Sequence, residues 1–220
     1  MGGSVMNCGG SKENDLEKAY NLEAEETGWF GPEVVFGLSY RYIKPGQSIL
    51  DIGTGTGLAA LLYIRAGLKA HGMDISERLL DICREKQFES LVRHDLTRTP
   101  YPYPDGSMDH AVCTGVLNFF DDLSVVFSET SRIIRPGGLF GFVVGDRYGD
   151  MSPRIEIEAS ESSSKEPVTM YRHGRERVRE WMREYRFKEL RTLPFTVYMD
   201  RGRQRDLVVR AYLAEKLAAS

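Results

Sequence analysis

The run Asp51-Ile-Gly53-Thr-Gly55-Thr-Gly57 has the residue types needed to hold a ligand against main chain rather than against side chains. Glycine lets the chain turn sharply and leaves the backbone bare, so that amide N–H groups at the start of a following helix can face a bound group. An acid, Asp74, follows at the spacing of about 20 residues at which a carboxylate meets a ribose diol. A further acid, Asp95, ends the next apolar run. A glycine-rich loop alone is a weak signal, and Asp74 has a second use as a negative charge at a helix N-terminus. The loop and the acid therefore point to a ligand only together, placed at strand ends.

The elements around these residues supply that placement. Ser48–Ile52 is a short, almost wholly apolar run, as expected for the buried centre of a parallel sheet. Residues 57–67 have helical periodicity and end on glycine, and 69–75 form a second strand. Ser76 is suited to cap a helix over 77–86, because its hydroxyl accepts orphan amide hydrogens. Strands follow at 90–94 and 108–114, then an amphipathic helix at 121–134 stopped by Pro136-Gly-Gly138, then a strand at 139–144. Strands alternating with helices require crossover connections, which gives an α/β fold: a Rossmann-like doubly wound sheet, mostly parallel, with helices on both faces. Beyond Gly145 a polar segment runs to Thr169, a helix covers 176–185, and strands at 186–198 and 207–213 flank Asp200-Arg-Gly-Arg203 as a C-terminal antiparallel hairpin. The expected organisation is a disordered tail over 1–14 and a single domain over 15–220. Within that domain 15–43 is a helical cap punctuated by Gly28, Gly31 and Pro32, and 146–170 is a flexible cover loop containing the low-complexity stretch 158–165.

Composition narrows the class. With 220 residues, 41% of them hydrophobic and 28% charged, the chain is long enough for one core of ordinary globular make-up. A formal charge of -3 gives no overall field for a polyanion, so nucleic acid is not the expected partner. Cys8, Cys83 and Cys113 are odd in number and form no C-x-x-C pair, which points away from a disulfide framework or a zinc site and towards a reducing, cytoplasmic compartment. No apolar run has the length of a signal or membrane segment.

With these residues in view, Ile49-Leu-Asp-Ile-Gly-Thr-Gly-Thr-Gly57 resembles motif I of the class I S-adenosylmethionine-dependent methyltransferases, which carry an acid just before the first glycine. The resemblance runs through Asp74, Asp95 and the strand Met108-Asp-His-Ala-Val-Cys-Thr114 to Arg132-Ile-Ile-Arg-Pro-Gly-Gly138, covering roughly 45–145. Within the superfamily the chain is similar to the type-11 methyltransferase domain, and more loosely to the methyltransferase-like protein of the Williams-Beuren region.

The resemblance implies the cofactor S-adenosyl-L-methionine, with S-adenosyl-L-homocysteine as product, and no metal. It implies that Gly53, Thr54, Gly55 and Gly57 lie along the methionyl and ribose parts and that Asp51 orders the loop. Asp74 would hold both ribose hydroxyls, Ile75 would lie on the adenine, Asp95 would accept from the adenine amino group and Leu96 would donate a backbone hydrogen bond to the ring. Thr114, Gly115 and Val116 would flank the sulfonium, and Thr114 and Asn118 are the candidates for positioning substrate. No general base is assigned.

Other residues weigh less. Asp121 and Asp122 read as helix caps rather than a metal pair. His71, His94 and His110 read as core or rim residues, and Trp29, Phe30, Phe119, Phe120 and Tyr148 as packing groups that also have the chemistry of pocket walls. The arginines from Arg172 to Arg210 are interleaved with acids, as on a solvated face. After the fourth strand comes Cys113-Thr-Gly-Val-Leu-Asn118, not the Asn/Asp-Pro-Pro-aromatic motif of many nucleic-acid amino methyltransferases, which favours a small-molecule acceptor. The alternatives kept open are a nicotinamide oxidoreductase, a cofactor-binding but non-catalytic adaptor, and an RNA or protein methyltransferase. Oligomeric state is left unassigned.

Overall fold

A computed structural model describes residues 9–157, 168–199 and 202–218. Helices α1 (Gly9–Glu26) and α2 (Gly31–Ser39) precede the alternating core β1 (Ser48–Ile52), α3 (Leu58–Arg65), β2 (Lys69–Asp74), α4 (Glu77–Arg84), β3 (Phe88–Arg93) and β4 (Met108–Cys113). A 3₁₀ turn (Leu117–Phe119) leads to α5 (Ser124–Ile133) and β5 (Ile134–Arg147). The chain closes with β6 (Arg154–Ile157), β7 (Val168–Gly174), α6 (Arg175–Glu184), β8 (Phe187–Tyr198) and β9 (Asp206–Lys216).

The parallel strands run in the order β3-β2-β1-β4-β5, so the chain leaves β1 in one direction through β2 and β3 and returns on its other side through β4. The gap between β1 and β4 is the topological switch point, where open α/β sheets bind ligands beyond the carboxyl ends of their strands. β9 adds antiparallel to β5, and β8 antiparallel to β9.

Side-chain alternation along these strands builds two cores. Leu50, Ile52, Phe140, Phe142 and Tyr212 face α5 and α6, where Phe127 stacks on Trp181 at 6.0 Å between ring centroids. Ile49, Val112, Val143 and Val209 face the opposite way, under Val35 of α2 and Ala60 and Tyr63 of α3. Strands buried on both faces explain why residues 49–52, 111–113 and 139–144 are mainly apolar.

Four segments differ from the expectations above. The expected tail 1–14 is entered by α1, which begins at Gly9. The helix expected over 121–134 begins only at Ser124, because Asp122 accepts hydrogen bonds from the Ser124 amide (3.0 Å) and hydroxyl (2.7 Å) ahead of the first turn. Pro136-Gly-Gly138 belongs to an irregular opening of β5; a Cβ on Gly138 would lie 2.1 Å from the Asp109 carbonyl, so the strands approach this closely only with glycine there. The cover expected over 146–170 is partly a hairpin, since β6 pairs antiparallel with β7, and Gly145, Asp146 and Arg147 pair with Arg172, His173 and Gly174. Arg154-Ile-Glu-Ile157 does alternate polar and apolar residues, over a length too short to stand out in a polar stretch. The low-complexity stretch 158–165 and the first two residues of the Asp200-Arg-Gly-Arg203 turn lie outside the described residues.

Candidate active site

The glycine loop leaves β1 at the carboxyl edge of the sheet and enters α3 with Gly53, Gly55 and Gly57 at φ +69°, +55° and +85°. Both the Gly53 and Thr54 amides donate to the Met73 carbonyl (2.9 and 3.0 Å), which ties the loop to β2. The Asp51 carboxylate lies beneath it, 2% exposed, where one oxygen accepts from the Thr54 hydroxyl (2.9 Å) and from the Ala60 amide (3.2 Å). α3 starts on Gly57, which has no side chain to cap the free amides of its first turn, so Asp51 supplies that cap from the neighbouring strand. Burial pushes the Asp51 carboxyl up to about 7, against the pull of the Thr54 and Ala60 hydrogen bonds.

The three glycines do different things. A Cβ on Gly53 would sit 2.8 Å from Val116, and one on Gly57 would sit 3.3 Å from the Phe88 ring and 3.4 Å from Cys83 Sγ. A Cβ on Gly55 would meet no atom within 4 Å. Gly55 is thus a bare backbone ledge over open space, fastened from below by the Cys83 thiol, which donates to its carbonyl at 3.3 Å. Lys86 donates to the Thr56 carbonyl and pairs with Glu17 of α1 at 2.7 Å, joining the loop to the N-terminal helix.

Asp74 ends β2 beside that ledge, 8% exposed, with its two oxygens accepting from the Gly55 and Ser76 amides (2.9 Å each). Each carboxylate oxygen has a second lone pair, so both retain capacity for a ligand hydroxyl. Ile75 follows, 59% exposed. Ser76 caps α4 at its Leu79 amide. Tyr20 of α1 stands within the field of Asp74, and its phenol is raised by burial first and then by Glu23 and Asp74.

Asp95 follows β3. One of its oxygens accepts from the Thr97 amide (2.9 Å) and hydroxyl (2.8 Å), and these bonds hold its carboxyl below the usual range. Leu96 is buried, and its carbonyl accepts from the Tyr101 hydroxyl at 2.9 Å.

At the end of β4, Thr114 is buried, a Cβ on Gly115 would lie 3.8 Å from the Trp29 indole, and Val116 closes on Gly53. Asn118 is buried as well, and its side-chain oxygen already accepts from the Gly145 amide at 2.6 Å. Its first task is therefore to hold the end of β5, which leaves its amide nitrogen as the group for any substrate contact.

The histidines stand apart from the loop. His71 meets Ser90 between β2 and β3 (2.8 Å), His94 lies in the turn after β3 with Nε2 at 3.0 Å from the Arg98 carbonyl, and His110 sits in β4, its Nδ1 accepting from the Leu139 amide at 3.2 Å. Three groups escaped the sequence reading. The Asp146–Arg210 ion pair (2.7 Å) joins a buried aspartate to a partly buried arginine at the carboxyl end of β5; His173, buried opposite Asp146, faces the Leu117 and Phe120 carbonyls; and Lys86 fastens the loop. Residues 64 apart in sequence, like Asp146 and Arg210, leave no local pattern to find. Among the described residues no group of three or more histidine, cysteine, aspartate or glutamate side chains is placed to hold a metal ion.

An S-adenosyl group fits these residues, because Gly55 opens onto space, Asp74 keeps lone pairs beside it, and exposed Ile75 continues the same edge. Comparison with known proteins agrees. Residues 50–142 match the family described as "Methyltransferase domain". Demethylmenaquinone methyltransferase of Tropheryma whipplei is 32% identical over 98 residues, which are 44% of this chain and 41% of that protein. Malonyl-[acyl-carrier protein] O-methyltransferase of Serratia marcescens is 26% identical over 193 residues, 80% of this chain and 74% of that one. The chain thus spans less than half the length of the demethylmenaquinone relative. A SAM-dependent methyltransferase from Methanosarcina mazei superposes with a TM-score of 0.69 at 17% identity, covering 83% of this chain and 98% of the other. Residues 50–142, which hold the glycine loop and the switch point of the sheet, thus match a methyltransferase domain, and the chain has the fold of S-adenosylmethionine-dependent methyltransferases.

Proposed function

We propose that the chain transfers a methyl group from S-adenosylmethionine to a small-molecule acceptor by in-line displacement. The observation that carries this reading is the bare Gly55 ledge beside Asp74, which opens at the same sheet edge as Thr114 and Gly115. Asp74 would accept both ribose hydroxyls, Ile75 would cover one adenine face, Asp95 would accept from the adenine amino group, and the Leu96 amide would donate to the ring. When bound, the cofactor supplies an activated methyl on a sulfonium. The chain's own contribution is alignment: Val116 and Gly53 pack to fix the loop against the β4 end, and Asn118 locks β5 beside it. Thr114, with the free nitrogen of Asn118, would orient the acceptor.

A small acceptor is supported by the absence of an Asn/Asp-Pro-Pro-aromatic motif after β4. The named relatives act on demethylmenaquinone and on a malonyl group carried by a protein. No helix among the described residues is long and apolar enough to cross a membrane, and the cysteine usage favours a cytoplasmic site. Calorimetry with S-adenosylhomocysteine and NAD, followed by transfer of labelled methyl from S-adenosylmethionine into metabolite pools, tests the reading. Tighter binding of NAD would reject it, and cofactor binding with no transfer into any pool would favour the adaptor instead.

A further inference from the structure

We infer that Arg172 anchors a carboxylate carried by the methyl acceptor, a small molecule with an apolar body; this deepens, and rests on, the methyltransferase reading. Arg172 lies in β7 opposite Gly145, whose amide is held by Asn118, so it stands one strand away from the Thr114–Asn118 segment that follows β4. The close approach of β7 is itself specified by sequence. A Cβ on Gly145 would lie 2.8 Å from the Tyr171 carbonyl and 3.5 Å from Arg172 Cγ.

That contact also sets the direction of the side chain. Arg172 leaves β7 on the Gly145 side, which is the side of Val143 and Val209, whereas His173 and Asp146 lie on the opposite face with Trp181. On the Val143 side, four half-buried apolar groups gather from four segments: Trp29 before α2, Ile155 of β6, Met170 of β7 and Phe195 of β8. Trp29 and Phe195 approach to 6.4 Å between ring centroids, and Trp29 reaches Gly115. The walls beyond the β4 end are therefore apolar and aromatic, with Arg172 as the cation beside them.

Arg172 differs from its charged neighbours. Arg210 is neutralised by Asp146 at 2.7 Å, and Arg154 pairs with Asp121 at 3.5 Å and covers the Tyr171 ring. Arg147 is exposed and donates to the Met151 carbonyl. Arg172 has no acidic partner among the described residues; Nη1 reaches the Ser152 carbonyl at 3.4 Å, and Nε is buried with no partner among those residues. A buried donor on a charged group is costly when unsatisfied, and a guanidinium edge matches a planar carboxylate by two parallel hydrogen bonds. One guanidinium left without an acid by the described residues, among apolar walls, balances one negative charge, which favours a carboxylate over a doubly charged phosphate.

The test is calorimetry on the full chain with octanoate, and with octanol as its uncharged counterpart, in the presence and absence of S-adenosylhomocysteine. Octanoate should bind wild type at least tenfold more tightly than octanol. Arg172→Gln should weaken octanoate at least tenfold and leave octanol and S-adenosylhomocysteine unchanged, and Arg172→Lys should fall between. The Lys variant, with a melting curve for each protein, guards against loss of fold in the Gln variant. Equal octanoate affinity in wild type and Arg172→Gln, equal affinity of wild type for octanol and octanoate, or no octanoate binding by wild type would each overturn the inference. Arg172-dependent octanoate binding in a protein that ignores S-adenosylhomocysteine would keep the carboxylate site and reject the methyltransferase reading.

Discussion

Asp51 at the end of β1 caps Ala60 in the first turn of α3 across 3.2 Å, so one buried carboxylate holds strand, glycine loop and helix together. Its carboxyl is raised to about 7, mainly by burial. An unfolded aspartate titrates near 3.9, so between about pH 4 and 7 the folded chain binds the extra proton. The stability this contributes is fully present below about pH 4 and is lost as pH rises through 7. Asp51→Asn keeps an acceptor for Thr54 and Ala60 but has no proton to exchange. The difference in unfolding free energy, wild type minus variant, should fall by roughly 2 to 3 kcal/mol between pH 5 and pH 8 in urea titrations. A difference independent of pH would show that Asp51 is ionised throughout.

The unequal surroundings of the glycines give a second expectation. At Gly55 an added methyl meets nothing, so Gly55→Ala should cost only the strain of a positive φ, about 1 to 2 kcal/mol. It should nevertheless weaken S-adenosylhomocysteine at least tenfold, because the methyl occupies the ledge. Gly53→Ala carries the same strain and also collides with Val116, so its loss of stability should be the larger. Melting curves and calorimetry on the two variants make the comparison. A Gly55→Ala protein with unaltered cofactor affinity would remove the ledge from the site.

Asp74 holds the Gly55 and Ser76 amides before any ligand arrives, so its replacement acts in two ways. Asp74→Ala should lower stability by about 1 to 3 kcal/mol for the lost hydrogen bonds to a charged group, and should weaken S-adenosylhomocysteine more than tenfold. Circular dichroism reads the fold and calorimetry the affinity. Binding as tight as wild type would show that the ribose is held elsewhere.

Much of this arrangement is legible in sequence because it is local. The limits of β1 follow from an almost wholly apolar run, and Asp51, Gly55 and Asp74 meet because two strand ends bring them together at fixed spacing. Arg172 and His173 were not legible as neighbours of β5, since their pairing with Gly145 and Asp146 depends on a hairpin whose alternation is masked by polar residues. The contact between Trp29 and Gly115 is equally non-local; nothing in either segment specifies the other. Asn118 looked free to bind substrate because its bond to Gly145 spans 27 residues.

His110 should matter for stability and not for turnover. It lies in β4 opposite Ile49 and Leu139, towards the start of strands whose carboxyl ends face the glycine loop. Its Nδ1 accepts from the Leu139 amide, which puts the proton on Nε2, and Nε2 is buried without a partner among the described residues. A second proton would set two donors against each other at Leu139, and burial accordingly pushes the imidazole down to about 4, with Asp109 opposing. An unfolded histidine titrates near 6.5, so between about pH 4 and 6.5 the unfolded chain binds the extra proton. The contribution to stability is complete above about pH 6.5 and is lost as pH falls towards 4, opposite in direction to that of Asp51, and the two slopes partly cancel in wild type. His110→Gln, which can still accept from Leu139, should lose up to about 3 kcal/mol of this acid-side dependence. With an acceptor in hand, kcat for His110→Gln at pH 8 should stay within about threefold of wild type, since alignment rather than proton transfer by this residue lowers the barrier. A fall of 10⁴-fold with cofactor affinity unchanged would make His110 part of the chemistry despite its place at the far end of β4.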